Sequence, residues 1–424
     1  MVVATQPPSR LKFNWILSKK QDLTYYIGSA LIGYLYLFII LIGILMLHNP
    51  ETDSFVDWKF IHVDLNLLVV VSWGIFLDAP HLFATLARTL FDPDEWQVRK
   101  PEILKSWIFF FVGPIAILSP YLVGSLFHLS DGILVLGYFI FIVFFRLWAY
   151  YHIVRQHWGF FRLYKRTGQD YSYEKLDFWF FNLTMYLPLA MFLTSSYYPG
   201  EGAFPNLGLQ TPIFSGISIG MIANPILWVI YLGILSYYII FHLRLYRSGQ
   251  TLNGSKLFYM ALIVPLHFLV FINPILAFFV VPLVTVGHNI QYHMIVYSYG
   301  KKKYYNSALT PDSIPKYKWA RLFFSNIKIY FVFGLLFTLF LYRGPLFTGF
   351  FGFSGLSTVV PLNLDKTVFN SIGMMAGIRI PAELTLGEKV FGSFLLGWAM
   401  QHYYLDSKIW RVSKDKSLQK NLNV

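Results

Sequence analysis

Residues 284–303 read VTVGHNIQYHMIVYSYGKKK. Apolar and aromatic residues dominate as far as Tyr299, and three lysines follow at Lys301, Lys302 and Lys303. An apolar run closed by consecutive lysines reads as a membrane-spanning helix leaving the bilayer on its inner side. Within it lie His288 and His293. Ionisable groups are costly in hydrocarbon, so each is a candidate for function.

The same pattern recurs outward along the chain. The 424 residues are 56% hydrophobic and 13% charged, with mean hydropathy +0.53, where soluble chains carry about a quarter charged residues. Apolar runs predict spans at 25–47, 62–86, 104–127, 132–157, 178–196, 216–243, 257–272, 274–297, 322–342 and 390–410, about ten helices in all. The expectation is an all-α polytopic bundle over 24–411, with a basic tail at 1–23 and a second tail at 412–424. The stretch 344–386 reads as a loop with a re-entrant or interfacial piece. Basic residues cluster on alternate connections: Arg88, Arg99 and Lys100; then Arg162, Lys165 and Arg166; then Arg244 and Arg247; then Lys301–Lys303. The inner-side excess of Lys and Arg puts both termini in the cytoplasm, most simply at a cell's inner (plasma) membrane. The same rule accounts for the net charge of +13, so no nucleic-acid partner is expected. The absence of cysteine removes disulfides, thiolate metal sites and iron–sulfur clusters.

With this topology, seven of the eleven histidines fall at the inner ends of even-numbered spans: His81, His152, His157, His242, His288, His293 and His402. Asp78 stands three residues before His81 and Asp406 four after His402, each pair on one helical face. The constellation Asp78, His81, His152, His157, His288, His293, His402 and Asp406 offers imidazole and carboxylate without sulfur, which suits iron, manganese or zinc. The pairs His152/His157 and His288/His293 are spaced by five, about 140° apart on a straight helix. That implies either two metals or π-type distortion near Gly159 and Gly287. Asn289, Gln291, His242 and Arg155 are candidates for supporting contacts, while His267 reads as structural. A belt of interfacial His, Tyr and Trp would explain the aromatic content. It does not explain the paired acids or the inner-side crowding.

The segments HIVRQH (152–157) and HNIQYH (288–293) resemble the histidine boxes of integral-membrane fatty-acid desaturases and hydroxylases, although this chain has no His-His dipeptide. DAPH (78–81) and QHWG (156–159) look similar to elements of the retinal-forming β-carotene dioxygenases of bacteria and archaea. The likeness implies a membrane oxygenase or oxidoreductase with iron, two per chain in the desaturase pattern. It would use dioxygen, a lipid, isoprenoid or carotenoid substrate drawn from the bilayer, and a cytoplasmic electron donor. A zinc hydrolase or transferase would use the same ligands with a metal-activated water. A haem protein needs only two facing histidines. A transporter would use interrupted spans such as ANPIL and INPIL.

Overall fold

The computed structural model describes residues 10–49, 54–55, 57–58, 61–62, 72–128, 131–196, 207–273, 276, 279–305, 314–342 and 386–422. The loop read at 344–386 and the first part of the second predicted span therefore lie almost wholly outside the described residues.

The chain is a helical bundle. Its main helices are α1 (Ser29–Leu47), α2 (Ala79–Thr89), α3 (Pro93–Ser106), α4 (Phe109–Leu126), α5 (Asp131–Thr167), α6 (Glu174–Thr194), α7 (Ile219–Arg247), α8 (Gly254–Ile272), α9 (Val280–Tyr304), α10 (Lys318–Ser325), α11 (Ile327–Phe337), α12 (Leu386–Leu395), α13 (Gly397–Ile409) and α14 (Lys416–Leu422). Several of them start on a side-chain cap. The Asp92 carboxylate accepts from the N–H groups of Asp94 and Glu95 ahead of α3. Ser218 caps α7 through Met221 N–H, and Asn253 caps α8 through Lys256 N–H.

Among the described residues six helical stretches are long and apolar enough to cross a bilayer, or seven if one bent pair counts as a single span. About ten were expected from sequence. The predicted ninth span is broken: Pro315–Ser325 and Ile327–Tyr342 meet at 93°. Asn326 there takes extended backbone and caps α11 by accepting Lys328 N–H at 2.8 Å. The predicted tenth is divided between α12 and α13 at Leu396. The predicted eighth is α9, shifted toward the lysines, and its His, Asn and Gln residues lower its apolarity. The outward faces match a hydrocarbon surrounding. Leu31, Leu35 and Phe38 on α1 and Val229 on α7 are exposed.

Four helices close around the centre. α9 packs on α2 and α5, and α13 packs on the same two. α9 also lies close against α1, where a Cβ at Gly287 would stand 3.3 Å from the Ser29 carbonyl oxygen. Gly287 thus serves a close helix approach, and both α5 and α9 remain α-helical through their histidine pairs. The π-type turns among the described residues sit elsewhere, at Asp22–Tyr26, Thr338–Tyr342 and, just before α2, Gly74–Asp78. Pro80 has no N–H to donate, and the preceding Ala79 N–H bonds back to the Gly74 carbonyl instead.

The basic segments gather at one end of the bundle and are tied by ions. Arg99 bonds Glu95 at 2.6 Å and Asp415 at 2.9 Å. Lys303 bonds Asp92 at 2.6 Å, and Lys316 bonds Asp94 at 2.7 Å. Both expected tails are docked where they are described. Leu11–Lys12 pairs in parallel with Leu252–Asn253, Asp22 accepts from the backbone N–H groups of Ile16 and Leu17, and α14 buries Leu418 and Leu422. The innermost tie is the fully buried Asp177. It takes Lys165, Lys256 at 3.2 Å and the Tyr238 hydroxyl at 2.8 Å, joining α5, α6, α7 and α8. Removing one member of such a network strands buried charge. Asp177→Ala is expected to destabilise the protein by about 3 kcal/mol or more, seen as a lowered unfolding temperature in detergent. An unchanged temperature would show that the clamp holds nothing together.

Candidate metal centre

One imidazole comes from each of the four central helices: His81 from α2, His152 from α5, His288 from α9 and His402 from α13. Their ring centroids form a closed circuit. His81 to His402 is 4.6 Å, His402 to His152 4.7 Å, His152 to His288 5.1 Å, and His288 to His81 5.6 Å. All four are buried. Donor atoms of His81, His288 and His402 lie within 4.8 Å of one another, as do those of His152, His402 and Asp406.

Hydrogen bonds decide which nitrogen faces inward. His81 Nδ1 is directed at the carbonyl oxygen of Asp78, three residues back on the same helical face, so its Nδ1–H donates there and Nε2 is left deprotonated. His402 Nδ1 lies 2.6 Å from Thr85 Oγ1. The Thr85 hydroxyl donates to Asp406 Oδ1 at 3.0 Å, and the Tyr292 hydroxyl donates to the same oxygen at 2.6 Å. This chain keeps the proton of His402 on Nδ1 and turns Nε2 toward the other rings. His402 Nε2, His152 Nε2 and His288 Nδ1 are buried without a hydrogen-bond partner. Buried polar atoms are almost always satisfied. Several such nitrogens in one ring have the chemistry of a metal donor set, and neutral imidazoles suit a divalent transition metal.

The other expected ligands take different places. The five-residue spacing brings only the first member of each pair to the ring. His157 Nδ1 lies 2.7 Å from the Tyr259 hydroxyl, and its ring packs edge-on to His267 at 5.5 Å. His293 is held between the Tyr330 hydroxyl and the Leu77 carbonyl, each at 3.2 Å. Asp406 accepts from Thr85 and Tyr292 through Oδ1, while its Oδ2 lies 4.0 Å from His152 Nε2, so it stands at the edge of the ring beside His402 and His152. Asp78 lines the adjoining cavity and takes a hydrogen bond from Asn289 Nδ2 at 3.4 Å.

Of the candidate supporting residues, Gln291 bonds the Tyr26 carbonyl at 2.7 Å on the far side of α9. His242 bonds the Tyr238 carbonyl at 3.0 Å and packs on that ring, away from the cluster. Arg155 lies in a wide cavity beside it. Two contributors were not singled out from sequence. Thr85 is four residues after His81, and that spacing alone puts it on the ring-facing side of α2. Gln156 braces α9 by donating to the His288 carbonyl at 2.8 Å.

The ring lies between two cavities that both reach His152. The smaller, about 60 Å³, is lined by His81, His288, Asn289 and apolar residues such as Val284 and Ile153. The larger, about 1190 Å³, has Asp406, Tyr292 and Tyr403 at its inner end. Tyr403 stacks on His152 with centroids 4.6 Å apart.

Thr85→Val keeps the shape of the side chain while deleting the link between His402 and Asp406. Loss of an outer partner to a ligating histidine costs roughly 10- to 100-fold in metal affinity. That fall, measured by chelator competition with the unfolding temperature largely kept, is the expected outcome. Undiminished affinity would mean that Thr85 does not orient His402.

The chain matches no family model, no curated protein and no solved structure. What the centre does therefore has to be argued from its own residues.

Proposed function

We propose that the protein is a multi-pass membrane metalloenzyme in which His81, His152, His288 and His402 hold a single metal ion, iron by preference. Its reaction would be the dioxygen-dependent oxidation of a hydrophobic substrate of the lipid, isoprenoid or carotenoid kind. The observation that carries this reading is the closed ring of four buried imidazoles, three with a nitrogen that has no hydrogen-bond partner. We favour one ion over the two expected from sequence because His157 and His293 have hydrogen-bond partners elsewhere. Bound there, iron would supply the activation of dioxygen at coordination positions that four imidazoles leave open.

The chain's own residues supply orientation and shelter. Thr85, Tyr292 and Asp406 hold the tautomer of His402, the Asp78 carbonyl holds that of His81, and Gln156 steadies the turn of α9 that carries His288. Aliphatic side chains such as Val284 and Ile153 line the smaller cavity beside His81 and His288. The basic end of the bundle, read as cytoplasmic, is where an electron donor would dock. The likeness of DAPH and QHWG to the retinal-forming dioxygenases points in the same direction. One observation favours the zinc hydrolase instead: the Asp406 carboxylate, 4.0 Å from His152 Nε2, is placed to take a proton from an attacking water.

Elemental mass spectrometry of protein never exposed to chelator should give about one iron per chain. His81→Ala and His152→Ala should each remove it, with dioxygen uptake lost in parallel. His157→Ala and His293→Ala should retain it. Two irons per chain, lost in the His157 and His293 variants as well, would restore the dinuclear reading. Stoichiometric zinc would favour the hydrolase, and metal-free protein would contradict any metal centre.

A further inference from the structure

The larger cavity is asymmetric in charge. Arg155, Arg162, Arg166, Lys175, Arg411 and Lys414 line it, against Glu174 at the rim and Asp406 at the floor; Lys165, also in its wall, is neutralised by Asp177. Among the described residues no carboxylate lies within ion-pair distance of Arg155, Arg162 or Arg166. Between the cations the wall is aromatic, with the exposed Trp179 and Tyr151.

The cations are arranged in a line. His152, Arg155, Gly159, Arg162 and Arg166 are spaced by three, four, three and four residues along α5, which is one face of a helix. At 1.5 Å rise per residue, Arg162 stands about 15 Å along the axis from His152. Gly159 lies between Arg155 and Arg162, about 10 Å along the axis from His152; it is exposed, and a Cβ there would meet nothing within 4 Å. It leaves the groove open between those two arginines.

Cations on the inner side of a membrane protein usually anchor it to lipid headgroups. These instead line a concavity whose wall includes His152 of the histidine ring and Asp406. We propose that this vestibule binds a single-chain amphiphile with an anionic headgroup. The head lies among Arg155, Arg162 and Arg166, over the opening that Gly159 leaves between them, and the apolar chain runs along the aromatic wall toward His152. Which carbon reacts rests on the metal-centre reading. The binding itself does not.

The test is equilibrium binding to the full-length protein in nanodiscs of zwitterionic phosphatidylcholine. Palmitate, hexadecyl phosphate and hexadecanol share a chain and differ in the head. At least one anion should bind tenfold or more tightly than the alcohol, and the better anion identifies the headgroup as carboxylate or phosphate. R155Q/R162Q should erase most of that preference while leaving hexadecanol unchanged. G159W, whose added ring projects into the open groove, should weaken all three ligands without altering metal content. R244Q/R247Q, on exposed inner-end arginines outside the vestibule, should change nothing. Equal affinity for the three probes would overturn the proposal. So would R244Q/R247Q weakening anion binding as much as R155Q/R162Q does. If the wild type proves metal-free yet shows the anion preference, the metal reading fails and the vestibule stands.

Discussion

Four imidazoles meeting inside a membrane bundle impose the constraint on which the rest of the structure depends. A buried polar atom left without a partner costs about 1–3 kcal/mol, and in hydrocarbon there is no water to relieve it. The ring gathers three such nitrogens within a few ångströms. A chain that only needed to fold would place them otherwise. The helices around the ring are arranged so that the imidazoles have nowhere else to turn. α2, α9, α5 and α13 each touch two of the others, and each is rotated by contacts on its back. Gly287 seats α9 against α1, the Pro80-linked π turn sets the entry of α2, and Arg88 locks α2 to the end of α13. The Arg88 guanidinium is sandwiched 3.8 Å from the Trp410 ring and 4.3 Å from the Tyr299 ring, and it bonds the Ile409 carbonyl at 2.8 Å.

The bundle separates positioning from chemistry. Outside, α1 and α7 present aliphatic and aromatic side chains, as a hydrocarbon solvent requires. At the basic end, ion pairs bridge segments distant in sequence: Lys303 with Asp92, Arg99 with Asp415, and Lys165 and Lys256 with Asp177. Exposed pairs contribute little to stability, but Asp177 is fully buried, and its network holds α5 in register with α6 and α8. The run of lysines that closes α9 belongs to this girdle. Lys303 is bound to Asp92, and Lys301 donates to the Ser325 carbonyl at 2.6 Å. The stretch 284–303 thus combines two devices: one imidazole, His288, facing the centre and ammonium groups fastening the helix end.

Much of the centre was legible because depth is readable. Hydropathy fixes where each span ends, and His81, His152, His288 and His402 stand at comparable distances from those ends. The five-residue spacing also indicated that the members of each pair diverge. Which member faces inward depends on helix rotation, and that is set by Tyr259 and Tyr330, partners far away in sequence. Asp406 was readable as a neighbour of His402 but not as a support acting through Thr85, whose own role shows only once α2 and α13 are packed together. The bend at Asn326 was hidden because the apolar run continues on both sides of it. The Asp177 clamp was hidden because its lysines come from residues 12 and 79 positions away. The docked tails were hidden for a related reason: composition marks them as basic, while their buried residues, Ile16, Leu418 and Leu422, are too few to raise local hydropathy.

The central claim is that the four imidazoles share one metal ion. X-ray absorption at the metal edge, on protein purified without chelator, addresses it most directly. An iron edge with a nearest shell of about four nitrogens and the outer scattering of imidazole rings is the expected result. A metal whose shell lacks imidazole, or protein with no metal absorption, would contradict it.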